Sequence, residues 1–137
     1  MMKLLPVPAA SANAPVSTKT GPPPGSEAAA ARLGRERRPL VTSTYVIDEL
    51  LTLVRMRVGY AAAVRIGERL MQTRWCRIVE VGEDTREAAW GLFVRYHDHV
   101  FSFTDCTSFA LMRAMGVLEA LTFDRDDFAT AGFTGLA

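Results

Sequence analysis

The stretch FSFTDCTSFALM, residues 101–112, decides how this sequence is interpreted. It is a run of apolar and hydroxyl residues, and with the RAMG that follows it predicts a helix ending at Gly116. Ser102 or Thr104 supplies a hydroxyl that can cap the start of this helix, so the start needs no carboxylate. Asp105 nevertheless stands in the first turn. Its role depends on which other acidic residues the fold brings beside it.

The segments on either side alternate between strand and helix patterns. Short apolar or β-branched runs predict strands in PLVTS (39–43), WCRIVEV (75–81) and VLEALTF (117–123). Helical patterns occupy EAAAARLGRERR (27–38), TYVIDELLTLVRMRVG (44–59), YAAAVRIGERLMQ (60–72), EDTREAAWGLFVRYHDH (83–99) and, briefly, DRDDF (124–128). Within them, Gly59 predicts a left-handed helix cap, and Asp84 with Glu87 predicts a capping box. This alternation over short loops predicts an α/β fold with a mostly parallel sheet.

The start of the chain differs in composition from the rest. It is rich in Pro, Ala, Ser and Gly and offers little apolar surface to offset the entropy of ordering. We therefore expect residues 1–26 to be disordered and apart from the sheet, with residues 27–137 forming the domain. The apolar run after Lys3 is short and broken by Pro6 and Pro8, so it does not favour a signal peptide, and a cytoplasmic location is expected.

Composition and charge narrow the possible functions. The chain has 137 residues and a net charge of +1, so no strong overall field attracts nucleic acid or a membrane surface. RNA binding would have to use a local patch. Cys76 and Cys106 lack the spacing of a metal site, which favours two buried, reduced thiols. No apolar run approaches the roughly 20 residues of a membrane span.

Three acidic residues from distant stretches occupy similar positions. Glu49 lies early in the helix after LVT, Asp105 opens a helix, and Asp124 follows a strand. Ligands of open α/β sheets gather at the carboxyl ends of the strands, where these acids can converge. Oxygen-only ligands favour Mg²⁺ or Mn²⁺, which can activate water and clamp a phosphate. Each acid also has a structural interpretation, as a solvent-facing helix residue, a first-turn acid favoured by the helix dipole, and a turn former, and spacing alone leaves both open.

Three longer segments carry a family resemblance: LVTSTYVIDELLTLVRMRVGYAAAVRIGERL (40–70), RYHDHVFSFTDCTSFALMRAMGV (95–117) and EALTFDRDDFATAGF (119–133). In this order they resemble the PIN domain family, which includes VapC-type toxins, over about residues 27–134. The resemblance implies an α/β/α sandwich around a parallel sheet and metal-dependent cleavage of RNA. It assigns catalysis and binding of Mg²⁺ or Mn²⁺ to Glu49, Asp105 and Asp124. It also implies an antitoxin protein as partner and a possible homodimer.

The sequence departs from the family at its start. PIN domains begin with a central strand that ends in an Asp followed by a small hydroxyl residue, and that Asp is a principal metal ligand. Here no Asp precedes Asp48, so the resemblance implies a sheet without its usual first strand and a site short of one ligand. Three hypotheses follow: a metal-dependent ribonuclease that is the toxin of a toxin–antitoxin pair and whose activity is reduced or lost with the missing ligand, a non-catalytic remnant that binds an antitoxin or dimerises, and a small α/β binding module whose acids only cap helices and turns.

Histidine and tryptophan residues also invite functional interpretations. His97 and His99 flank Asp98, but alternate residues at a helix end do not face one another. We therefore interpret both as surface histidines, and Asp98 as a residue with a local structural role or one that supports the metal ligands. Trp75 and Trp90 are interpreted as core or partner-facing residues before any role in stacking on bases.

Overall fold

The structure, a computed structural model, describes residues 40–74, 76–122 and 124–136 together with the backbone of Leu5–Pro6. In this part of the chain the strands are β1 Leu5–Pro6, β2 Leu40–Ser43, β3 Cys76–Val79, β4 Glu119–Leu121 and β5 Thr134–Leu136. The helices are α1 Thr44–Arg57, α2 Tyr60–Gln72, α3 Glu83–Arg95, α4 Phe103–Met115 and α5 Arg125–Thr130. None of these helices is both long and apolar enough to cross a membrane.

Parallel pairing dominates the strands from β2 onward. β2 and β3 are parallel neighbours, in register from Leu40 opposite Cys76 to Ser43 opposite Val79. β4 and β5 form a second parallel pair. Every residue of β2 is buried, as expected for a strand covered on both faces. The predicted α/β fold with parallel strands is confirmed, while β5 is a strand that the sequence patterns did not predict.

The first strand comes from the segment that was expected to be disordered. β1 pairs antiparallel with β2, with Leu5 opposite Val41, and it also lies against β4. The expectation that residues 1–26 stay apart from the sheet is therefore wrong at Leu5–Pro6, and the sheet does take up an N-terminal strand. The edge of β2 offers backbone N–H and C=O groups that need hydrogen-bond partners. A short extended segment can supply those partners, even when the sequence around it is rich in proline. The other residues of that segment, and the predicted helix 27–38, lie outside the described residues.

Local side-chain chemistry sets several helix ends. The Ser43 hydroxyl accepts a hydrogen bond from the Val46 N–H at 3.2 Å and caps the start of α1. Helix α4 ends at Gly116, which adopts the left-handed conformation with φ of 66°, as predicted. These two ends are set by residues next to the helix, which is why the sequence reveals them.

Two other predicted helix ends are wrong. Gly59 has a positive φ of 132°, but it precedes the first residue of α2 instead of forming a left-handed cap on α1. Helix α3 begins at Glu83 after Gly82, so Asp84 already lies inside the helix and forms no capping box with Glu87. Acidic residues in that first turn still interact favourably with the helix dipole.

Helix α4 lies at the centre of the packing. All residues from Asp105 to Met112 are buried. The Phe109 ring meets those of Phe128 and Phe133, with centroid distances of 4.9 and 5.8 Å. A helix that is apolar on most sides must be covered on most sides, which explains the composition of the opening stretch. Asp105 is thus the acidic residue at the entrance of the most buried helix described.

Candidate active site

Asp105 is fixed at the start of α4 by a reciprocal capping box. Its carboxylate Oδ2 accepts the Ser102 backbone N–H at 2.8 Å, and the Ser102 hydroxyl accepts the Asp105 N–H at 3.0 Å. The residue is only 5% exposed, and its second oxygen, Oδ1, is shielded from solvent. The carboxylate therefore has a structural role as well as the predicted site role, and its direction is fixed by two hydrogen bonds.

Glu49 lies on the helix that packs against α4. It stands in the second turn of α1, its side chain is half-buried, and its Oε2 atom is shielded from solvent. One turn before it, the ring of Tyr45 contacts the ring of Phe103 at the start of α4, with centroids 6.3 Å apart. This contact and the packing of α1 against α4 link the two helix ends that carry Glu49 and Asp105.

Asp124 lies between β4 and α5, where the chain turns into the helix. Its N–H donates to the Thr122 hydroxyl at 3.0 Å, and its carbonyl accepts the Phe128 N–H at 3.1 Å. The Asp124 side chain does not cap the helix. The backbone of Asp124 thus shapes the turn, as the structural interpretation predicted.

The three predicted carboxylates do not form a ready metal site. Within the described residues, no group of three or more His, Cys, Asp or Glu side chains is placed to hold a metal ion. The chemistry of Glu49, Asp105 and Asp124 suits Mg²⁺ or Mn²⁺, because all three offer carboxylate oxygens. The helices that bear Glu49 and Asp105 pack against each other. The convergence of these two carboxylates with Asp124 on one cation stays a prediction.

The HDH sequence forms a surface pair and not a chelate. His97 and His99 are exposed, which confirms their predicted surface position, and Asp98 between them is exposed as well. Nδ1 of His99 lies 2.9 Å from Oδ1 of Asp98. This hydrogen bond is the main cause that lowers the pKa of Asp98. The His99 ring also stacks on Phe101 with centroids 5.1 Å apart, so the motif is held by local contacts.

Cys76 and Cys106 are both buried thiols outside any disulfide, as predicted. Burial raises the pKa of the Cys76 thiol to about 11, because the interior disfavours the thiolate. A protonated thiol is a poor nucleophile and a poor metal ligand at neutral pH. Cys76 is therefore a core residue and has no place in the candidate site.

A row of aromatic rings is the feature near the site that sequence patterns missed. Trp90 stacks on Phe93 with centroids 5.8 Å apart, and Phe93 meets Phe103 edge to face at 6.0 Å. Phe103 in turn contacts Tyr45. The spacing of Trp90 and Phe93, three positions apart on a helix, indicates that they share a face. The sequence could not reveal that this face meets the start of α4.

Comparisons with known proteins agree with this geometry. The PIN domain family profile matches residues 12–133. The 23S rRNA-specific endonuclease VapC20 of Mycobacterium tuberculosis, from strains CDC 1551 / Oshkosh and ATCC 25618 / H37Rv, is 41% identical over 105 residues, which cover 76% of this chain and 79% of VapC20. The crystal structure of Mycobacterium tuberculosis VapC20, described as a sarcin–ricin loop cleaving toxin, has a TM-score of 0.70 and 37% identity over 80% of this chain and 84% of that one. The chain belongs to the PIN domain family, and within it to the VapC-like proteins.

Proposed function

We propose that this chain is a VapC-type endoribonuclease whose substrate is an exposed loop of ribosomal RNA. The observation that carries the proposal is Asp105, a carboxylate held in the first turn of a buried helix, in a chain 41% identical to a 23S rRNA endonuclease. VapC20 is described as a toxin that cleaves the sarcin–ricin loop, so this loop is the first substrate to test. A ribosomal substrate would require a cytoplasmic location, which we propose for this chain.

Nucleases of this family are generally metal-dependent. In this chain Glu49, Asp105 and Asp124 would hold Mg²⁺ or Mn²⁺, which when bound supplies charge to stabilise the phosphate and to activate water. The capping box of Asp105 supports this role, because a carboxylate already held in one orientation loses little entropy on binding a cation. The buried oxygens of Glu49 and Asp105 also lie where water screens charge weakly.

The number of acids limits the expected activity. No Asp stands before Asp48, so this set has one carboxylate fewer than the family pattern. Mg²⁺ gives up its waters reluctantly and depends on correctly placed charge, so one missing ligand weakens its binding. We therefore propose weak cleavage by the chain as it stands, by an N-terminally reduced PIN domain that residues 27–137 form together with the short strand β1.

A groove between α1 and α2 supports a role for a protein partner. It has a volume of about 410 Å³ and is lined mainly by apolar groups, including exposed Met56 and Val64. At its edge the Arg55 guanidinium lies 4.8 Å from the centre of the Tyr60 ring. An apolar groove with one arginine at its edge fits an amphipathic helix that carries an acidic residue, so we propose an antitoxin segment of that kind as its occupant. A homodimer is the alternative use of this face.

The partner proposal is tested by placing a charge in the groove. Val64→Glu should abolish co-purification with a co-expressed antitoxin, because the carboxylate would be buried without a partner. Ala61→Glu, on the exposed side of the same helix, is the matched control. Retention of the antitoxin by Val64→Glu would show that another surface binds it. Loss of a dimer with no effect on the antitoxin would assign the groove to self-association.

Cleavage of an RNA oligonucleotide carrying the sarcin–ricin loop tests the enzymatic proposal. We expect weak cleavage that Mg²⁺ or Mn²⁺ supports and a chelator stops, and Asp105→Asn should lower it by at least about 100-fold. Asp84→Asn is the matched control, because it also removes a first-turn carboxylate but from exposed α3. Cleavage unaffected by the chelator, or equal in Asp105→Asn, would contradict the proposal.

A further inference from the structure

The aromatic row, defined as Trp90, Phe93, Phe103 and Tyr45, crosses three helices. Consecutive rings are 5.8, 6.0 and 6.3 Å apart from centre to centre. Trp90 and Phe93 lie on α3, Phe103 on α4 and Tyr45 on α1. Because α3 packs along α4, the row continues from the outer face of α3 to the start of α4.

Exposure falls along the row from one end to the other. Trp90 is 59% exposed and Phe93 is 40% exposed, whereas Phe103 and Tyr45 are half-buried and pack against the core. The inner end lies beside the candidate site, since Phe103 is two residues before Asp105 and Tyr45 is one turn before Glu49. The row therefore joins an open aromatic surface to the two helix ends that carry these acids.

The outer end has the geometry of a stacking platform. The Trp90 and Phe93 rings are nearly parallel, with an interplanar angle of 25°. Both rings are exposed to solvent on the outer face of α3. Large aromatic faces left in water are costly unless a ligand covers them.

We propose that Trp90 and Phe93 bind an unstacked base of the RNA substrate and so position the adjoining phosphate toward Asp105. This inference rests on the proposed function and adds a substrate requirement, namely a loop or single strand with a base free to leave its stack. Any base can stack on an aromatic platform, and proteins read loops in this way. The row ends beside the helix ends that carry Glu49 and Asp105. This proximity favours a nucleobase as the ligand, because a bound nucleotide must reach these acids and a protein partner need not.

Binding measured without turnover tests the proposal directly. The chain has two tryptophans, so Trp75→Phe leaves Trp90 as the only indole. With a chelator present, titration with the sarcin–ricin loop oligonucleotide should quench Trp90 fluorescence in a saturable manner. Trp90→Ala should weaken binding of labelled RNA by about 5- to 100-fold, as expected for loss of one stacked base, while Trp90→Phe should retain most of it. Ala88→Ser, exposed on another side of α3, is the control and should bind normally.

The outcomes separate this proposal from the proposed function. Asp105→Asn should lose RNA cleavage but still bind RNA, with quenching of Trp90 fluorescence. If RNA quenches Trp90 in the wild-type chain and no cleavage occurs when Mg²⁺ or Mn²⁺ is supplied, only the enzymatic proposal is contradicted. RNA binding that is unchanged in Trp90→Ala, with no quenching of Trp90, would overturn the stacking platform. A change from dimer to monomer in Trp90→Ala, with RNA binding intact, would also overturn it and would make the row a protein interface.

Discussion

Asp105 combines two roles in one carboxylate, and they depend on different properties. The cap needs an acceptor atom, because Oδ2 accepts the Ser102 N–H. The proposed cation site needs negative charge. Substitutions that remove one property and keep the other can therefore separate folding from catalysis at a single position.

We expect the free energy of unfolding of Asp105→Asn to stay within about 1 kcal/mol of the wild-type value, because the amide oxygen still accepts the Ser102 N–H while the interaction with the helix dipole is weakened. Its chelator-sensitive cleavage should disappear. Ser102→Ala should show the reverse, losing about 1 kcal/mol of stability with the helix cap but keeping the charge and the cleavage. Urea unfolding and RNA cleavage of the same preparations measure both. Equal loss of activity in the two variants would mean that Asp105 acts only through the fold.

Cys76 gives a pH-dependent prediction at the same scale. Its thiol pKa is raised from 9.0 to about 11 by burial, so the folded state holds the proton more tightly than the unfolded state. The resulting stability is fully present below pH 9 and is lost as the pH rises through 11. The loss should be about 1–1.5 kcal/mol at pH 10, about half of the total of about 2–3 kcal/mol, and Cys76→Ala should lack this part of the pH dependence. Urea unfolding at neutral pH and at about pH 10 compares the two chains. If the wild type and Cys76→Ala lose the same free energy of unfolding between these two pH values, the thiolate is tolerated in the folded state.

At the scale of elements, close approach of backbone explains the last strand. Gly135 in β5 faces the start of α5, where an added Cβ would lie 2.9 Å from the Arg125 Cα. Rotation of a side chain cannot relieve this clash, because the Arg125 Cα belongs to the backbone. The parallel pairing of β5 with β4 therefore depends on the absence of a side chain at this position.

Gly135→Ala should lower the free energy of unfolding by about 1–3 kcal/mol, as overpacking does in a rigid site. Gly91→Ala is the matched control, because it is helical, exposed and surrounded by open space. It should be neutral or stabilising by up to about 1 kcal/mol. Thermal and urea unfolding of both variants make the comparison. A neutral Gly135→Ala would mean that α5 moves freely away from β5.

Elements whose ends are defined locally could be predicted from the sequence. Helix α4 is bounded by Ser102 and Gly116, whose side-chain and backbone chemistry acts on adjacent residues only. β1 and β5 could not be predicted, because two or three residues become a strand only through pairing with a distant partner. The same limit applies to the site. The importance of Asp105 is visible in its own stretch, whereas the link from Glu49 to Asp105 and the exposed end of the aromatic row depend on how helices pack.

At the scale of the whole molecule, the N-terminal strand connects the fold to the activity. β1 lies on β2 and against β4, and β4 leads to Asp124. A strand at this position is therefore close to an element that bears a candidate ligand. The described strand is antiparallel to β2 and consists of Leu and Pro, so it contributes no acid.

Replacing residues 1–26 with a family-like first strand and helix, in which the strand ends in Asp, should raise RNA cleavage by at least about 100-fold. The added carboxylate supplies the missing charge to the cation, and its position next to β2 and β4 brings it toward the other acids. The same replacement with Asn in place of the new Asp is the matched control and should restore the strand without the activity. Asp105→Asn in the active replacement should abolish cleavage again. RNA cleavage with Mg²⁺ or Mn²⁺, with and without a chelator, compares the three chains with the original one. Robust, chelator-sensitive cleavage by the original chain would show that the three acids Glu49, Asp105 and Asp124 suffice, and that the first strand serves the fold alone.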